Sequence, residues 1–181
     1  MSSIRSVKKL SLIVVFIFLL SALSGCLQSS KNNDATDDGE NFTFTTLDGT
    51  EKHLSDYRGK VVLLDMWATW CGPCQLTMIE LKKAYENYSR EELEIISVDI
   101  DLQEAAQLIQ SYREWFDQNY NVELDWIFGK DNGSIWNKYR LSVPGGVPTL
   151  YIFDKNGKIY YSNEGYKPYS LLASKIDELL S

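Results

Sequence analysis

The sequence predicts an α/β domain, a mixed β-sheet flanked by helices. Three observations carry this. Val61 to Trp67 (VVLLDMW) and Leu93 to Val98 (LEIISV) are nearly unbroken apolar runs, the pattern of strands buried on both faces. The segments that follow each run carry apolar residues at helical spacing. Asp48-Gly49 and Asn156-Gly157 sit beside β-rich stretches, as hairpin turns do. Strands alternating with helices make a layered α/β sandwich.

The elements follow in chain order. Phe42 to Thr46 alternates and is β-rich, and turns at Asp48-Gly49 into an N-terminal hairpin. Val61 to Trp67 is the central strand. Residues 73–88 form a helix, with Leu76, Ile79, Tyr85 and Tyr88 at helical spacing. Leu93 to Val98 is the next strand. Residues 103–119 form a second helix, with Leu108, Ile109, Tyr112, Trp115 and Phe116 on one face; aromatics at this spacing are expected in the core. Leu124 to Phe128 reads as a short strand and residues 133–140 as a short helix. Thr149 to Phe153 and Lys158 to Ser162 flank Asn156-Gly157 as a hairpin. Pro168 to Leu180 closes the chain as an amphipathic helix, with Leu171, Leu172, Ile176, Leu179 and Leu180 as its stripe.

Composition removes several function classes. The 181 residues carry 18 Lys+Arg, 25 Asp+Glu, one His and three Cys, for a formal charge of −7. That balance argues against nucleic acid as a partner, because phosphate binding needs a basic footprint. One His disfavours a His-based metal centre or a His-dependent triad. Three Cys are too few for a disulfide-stapled scaffold.

The N-terminus reads separately. Residues 1–25 hold Arg5, Lys8 and Lys9 and no acid, followed by the apolar run Leu10 to Leu23 and then Ser24-Gly25-Cys26. A basic start, an apolar centre and small residues at the end describe an export signal. Leu23-Ser24-Gly25-Cys26 resembles the lipobox of prokaryotic lipoproteins, which implies lipid on Cys26 and removal of residues 1–25. The other readings are an uncleaved membrane anchor or simple secretion. All three put the remainder outside the cytoplasm. Residues 26–41 are polar and acidic and read as a flexible tether, leaving 42–181 as the domain.

The chemistry centres on Trp70-Cys71-Gly72-Pro73-Cys74, between a buried strand and a helix. A helix N-terminus carries unpaired N–H groups and partial positive charge, which favours a thiolate. Cys71 at the tip would be the nucleophile. Cys74, one turn later, could attack Cys71 and resolve a mixed disulfide. Pro73 is tolerated in the first turn. The competing readings are half of a zinc site, which lacks two further ligands, and a purely structural disulfide, whose short loop would constrain little.

Leu63 to Cys74 (LLDMWATWCGPC) resembles the active-site stretch of thioredoxins. Phe42 to Leu64 resembles the lead-in of the TlpA/ResA-like, AhpC/TSA-related branch. The resemblance continues through Ile95 to Asp99, Gly146 to Thr149 and Phe153 to Gly157, and so covers essentially 42–180. It implies a thioredoxin-like fold with a central helix-strand insertion, and a redox-active disulfide between Cys71 and Cys74. It implies that Pro148 is a cis-proline beside that disulfide, with Val147 offering its backbone to an extended substrate chain. It implies that Asp65 is a buried acid beneath the disulfide, with a raised pKa suited to accepting a proton from Cys74; a merely structural Asp is the alternative. Trp70, Gly72 and Pro73 would surround the reactive sulfurs. Ile79 stands where the family often has a helix-kinking proline, so a straighter helix is expected.

Together these readings describe a membrane-anchored protein-disulfide reductase with no cofactor and no metal, acting as a monomer. Its partners would be thiols and disulfides of exported proteins, apocytochrome c among them, and a membrane electron donor. A dithiol oxidase or isomerase is the close alternative. A peroxiredoxin-type peroxidase fits less well, because Leu64 and Ala68 stand where its Pro and Thr belong. Copper delivery on the same fold wants a downstream His, and the one His, His53, lies upstream.

Overall fold

The computed structural model describes residues 39–142 and 144–181. The signal segment, Cys26 and nearly all of the expected tether lie outside the described residues. The elements are β1 (Thr43–Thr46), β2 (Glu51–His53), a 3-10 turn (Leu54–Tyr57), β3 (Val61–Trp67), α1 (Gly72–Asn87), β4 (Leu93–Asp99), α2 (Ala106–Tyr120), β5 (Ile127–Lys130), α3 (Ser134–Tyr139), β6 (Thr149–Phe153), β7 (Ile159–Glu164) and α4 (Tyr169–Leu180). The strands form one sheet in the order β2-β1-β5-β4-β3-β6-β7. β3, β4 and β5 run parallel, and every other pairing is antiparallel.

β3 lies inside the sheet, between β4 and β6, and all its residues are buried. Its alternation divides the core in two. Val61, Leu63 and Trp67 face α1, α2 and α4, packing with Met78, Leu81, Ile109, Phe116, Leu172 and Ile176. Val62, Leu64 and Met66 face the other way, against Phe44, Leu54, Ile135, Tyr139 and Phe153. Each such side chain contributes about 2–5 kcal/mol against truncation to Ala. Gly129 of β5 has a steric reason: a Cβ there would lie 2.5 Å from the Phe44 ring and 2.8 Å from the Thr45 carbonyl.

The structure differs from the sequence expectation in three places. β5 begins at Ile127 rather than Leu124, because the Leu124 carbonyl is taken by the Arg113 guanidinium (Nε at 2.9 Å, Nη2 at 2.5 Å) instead of by a neighbouring strand. Leu76, Leu108 and Trp115 are exposed at 57%, 48% and 41%, not core. The buried stripe of α1 is Cys74, Thr77, Met78, Leu81 and Ala84, and that of α2 is Ile109, Tyr112 and Phe116. Ordered contacts also start before residue 42. The Glu40 N–H bonds to the Gly157 carbonyl at 2.9 Å, its carboxylate pairs with Lys138 and accepts the Tyr139 hydroxyl, and Asn41 accepts the Ser55 N–H at 3.0 Å.

α1 runs without interruption from Gly72 to Asn87. None of the helices among the described residues is long and apolar enough to cross a membrane.

Candidate active site

β3 ends at Trp67 and α1 begins at Gly72, so a tight loop delivers Cys71 to the helix N-cap. The Cys71 N–H bonds back to the Ala68 carbonyl at 3.1 Å. The Cys71 sulfur accepts the Cys74 N–H at 3.2 Å, the place a serine or aspartate side chain takes in an ordinary N-cap. Cys71 and Cys74 form a disulfide with their Cα atoms 5.3 Å apart. When the disulfide opens, the same N–H and the helix dipole face any negative charge on Cys71. Cys74 is fully buried and Cys71 is 3% exposed, flanked by exposed Gly72 and Pro73 and by Trp70 at 63%. The Trp70 indole N–H donates to Asp101 Oδ2 at 2.9 Å.

The Val147–Pro148 peptide is cis. The Pro148 carbonyl accepts the Gly165 N–H at 2.7 Å, and Thr149 donates its hydroxyl to the Gly146 carbonyl at 2.5 Å. Val147 is half-buried and packs on the same cluster as Cys71 and Cys74.

Asp65 stands on β3 between Leu63 and Trp67, so the pleat points it to the face covered by α1, the helix that carries Cys74. It is fully buried. Ser97 Oγ, opposite it on β4, donates to Asp65 Oδ2 at 2.9 Å, and the Trp126 indole N–H donates to Ser97 Oγ at 2.9 Å. Oδ1 has no hydrogen-bond partner among the described residues. Burial raises this carboxyl to about 7, and the Ser97 bond opposes that rise. An acid so placed can hold or release a proton near neutral pH.

Two supports were not singled out from the sequence. Ser97 and Trp126 orient Asp65, and Ser97 did carry a signal as the lone hydroxyl inside an apolar strand. Glu104 holds Thr69, just before the motif, and nothing distinguished it from any acid near a helix start. An open groove of about 360 Å³ adjoins the motif, lined by Thr69, Gln75, Leu108, Ser111, Tyr112 and Trp115. Among the described residues no group of three or more His, Cys, Asp or Glu is placed to hold a metal. His53 lies on β2, an edge strand, and bonds Thr43 through Nδ1 at 2.9 Å.

Known proteins resemble this chain. The model of the AhpC/TSA family matches residues 35–162. The thiol-disulfide oxidoreductase ResA of Geobacillus thermodenitrificans is 29% identical over 151 residues, 81% of either chain. ResA of Bacillus thuringiensis subsp. konkukian is 32% identical over 125 residues, 69% of this chain and 66% of that one. A solved thioredoxin-like protein from Aeropyrum pernix superposes with a TM-score of 0.60 at 26% identity, covering 76% of this chain and 88% of that one. With the family match spanning most of the sequence and the ResA relatives spanning the disulfide, the chain belongs to the AhpC/TSA family, as a thiol-disulfide oxidoreductase of thioredoxin-like fold.

Proposed function

We propose that this protein is a lipid-anchored, extracytoplasmic reductase of disulfides in exported proteins, with Cys71 as the attacking thiol and Cys74 as the resolving one. The observation that carries the roles is the asymmetry of the pair. Cys71 caps α1 and receives the Cys74 N–H, whereas Cys74 is fully buried on the face that holds Asp65.

The chemistry balances as follows. The Cys71 thiolate attacks one sulfur of a substrate disulfide, forming a mixed disulfide and releasing the other sulfur as a thiolate. Cys74 then loses its proton to Asp65 and attacks the Cys71 sulfur. The Cys71–Cys74 disulfide forms, and the second substrate sulfur leaves and takes up a proton. Two electrons from a membrane dithiol donor restore the reduced pair. The exposed Trp70, Gly72 and Pro73 surround the reacting sulfur. The Val147 N–H and carbonyl make no hydrogen bond among the described residues, which leaves them for an incoming extended chain.

Anchoring is supported by the Leu23-Ser24-Gly25-Cys26 pattern and by the polar, acidic sequence between Cys26 and the domain. Apocytochrome c is one exported protein whose paired thiols suit this chemistry. Trapping with Cys74→Ser tests the assignment. The variant should accumulate mixed disulfides through Cys71 in a membrane fraction, released by reductant. Accumulation through Cys74 in a Cys71→Ser variant instead would reverse the roles. A redox titration decides the direction: a potential more reducing than the partners it traps supports a reductase, and a more oxidising one supports a dithiol oxidase.

A further inference from the structure

Two buried carboxyls stand behind the loop that carries Cys71, and the mechanism above uses neither. Asp99 closes β4 and is fully buried, and Glu104, in the turn before α2, is 8% exposed. Both Glu104 oxygens are committed to Thr69. Oε2 accepts the Thr69 N–H at 3.2 Å, and Oε1 accepts its hydroxyl. Asp99 Oδ1 accepts the Asp101 N–H at 2.8 Å, whereas Oδ2 is buried with no donor among the described residues. The same turn holds the next residue too, through the Trp70 indole bond to Asp101. Thr69 and Trp70, the two residues before Cys71, are thus both fastened to residues 99–104.

We propose that Asp99 and Glu104 share one proton and act together as positioning residues, holding Thr69 and Trp70, and with them Cys71, in the reactive arrangement. The inference rests on Cys71 being the attacking thiol. Glu104 already accepts both Thr69 donors, the N–H and the hydroxyl. Asp99 keeps the proton and donates it toward Glu104 from Oδ2. Two adjacent buried carboxylates would repel with little solvent to screen them. The groups facing the pair are Lys130 from β5, Asp101 from the same turn and Tyr112 from α2. Lys130 is the cation among them, and it also reaches the Asp101 carbonyl at 3.4 Å. Burial first, and the Glu104 carboxylate second, push Asp99 well above the usual carboxylate range; the Asp101 N–H pulls the other way. Once the pH exceeds that raised value the shared proton leaves, the carboxylates repel and the hold on Thr69 loosens.

The test follows attack by Cys71 in a Cys74→Ser background on bis(2-hydroxyethyl) disulfide, which has no ionising group, between about pH 6 and 10. The rate should rise as the thiolate forms and then fall on the alkaline side. Asp99→Asn removes the ionisation, and Glu104→Gln removes the second charge while leaving Thr69 an acceptor. Both should abolish the alkaline fall. Glu104→Ala should slow attack about tenfold at every pH, the loss expected for hydrogen bonds to a charged group. The Trp70 indole N–H resonance of the oxidised protein reads the hold without involving the thiols. It should titrate in the unsubstituted protein and stay fixed in Asp99→Asn. A titrating Trp70 signal with no Cys71-dependent rate would retain the hold and reject the Cys71 role it was meant to serve. An alkaline fall that persists in both conservative variants, or a Trp70 resonance insensitive to Glu104→Ala, overturns the proposal.

Discussion

The two faces of the sheet are built on different terms. The face that packs Phe44, Leu54, Met66, Ile135 and Phe153 is mostly apolar, and its polar groups find partners: the Tyr139 hydroxyl bonds Glu40, Glu94 pairs with Lys60, and the Thr149 hydroxyl bonds the Gly146 carbonyl. The opposite face holds both cysteines, and the buried side-chain atoms without partners among the described residues fall on or beside it: Asp65 Oδ1, Trp67 Nε1, Asp99 Oδ2, Tyr112 OH and Arg90 Nη1. β3 supplies both faces from a single run of residues, so the difference lies in what each alternate position carries. One layer is free to maximise packing. The other carries the disulfide and leaves buried polar atoms unsatisfied, a local conflict of the kind that gathers at functional sites.

Substitutions that separate the layers test that contrast. The largest effect belongs to Cys71→Ser, which should lower disulfide exchange at least about 1000-fold, as loss of a nucleophile does. Its midpoint of thermal unfolding should change little, because so short a disulfide loop constrains the unfolded chain weakly. On the packing face, Phe44→Ala should cost about 3–5 kcal/mol in denaturant unfolding while activity per folded molecule is kept. Equal losses of activity and stability in both variants would erase the division.

Asp65→Asn comes next. The folded chain binds the Asp65 proton up to about 7, against an ordinary value of 3.8. Between those values the folded state holds more protons than the unfolded one, so stability falls as pH rises across the window. The substitution should therefore stabilise the protein at pH 7–8 by at most about 4 kcal/mol and change nothing near pH 4, while slowing turnover. The smallest effect is Ser97→Ala. Removing a bond that lowers the Asp65 pKa should move the pH dependence of turnover upward by less than about one unit, given a hydrogen bond worth about 1 kcal/mol.

The sequence was most legible where one physical constraint acts alone. β3 and β4 are buried on both faces, and continuous apolar runs say so directly. The WCGPC motif between strand and helix announced the pair that forms the disulfide, and the lone acid in an apolar strand announced the buried Asp65. Periodicity was weaker for α2. Leu108, Ile109, Tyr112, Trp115 and Phe116 make a stripe wider than the surface the sheet covers, so Leu108 and Trp115 remain exposed beside the motif. β5 was shifted because its start depends on a side chain from another element, Arg113, claiming the Leu124 carbonyl. Glu104 lay beyond reach for the same reason: its bonds go to Thr69, 35 residues back along the chain, which no local pattern encodes.

The central claim is that the buried acid on the reactive face serves resolution by Cys74. The most direct measurement is the single-turnover decay of a Cys71 mixed disulfide with a small thiol, followed against pH in the unsubstituted protein and in Asp65→Asn. The decay should accelerate as pH rises through about 7, where Asp65 becomes able to take the Cys74 proton, and that rise should vanish in Asp65→Asn. Superimposable profiles from the two proteins would contradict the account and leave Asp65 a structural acid.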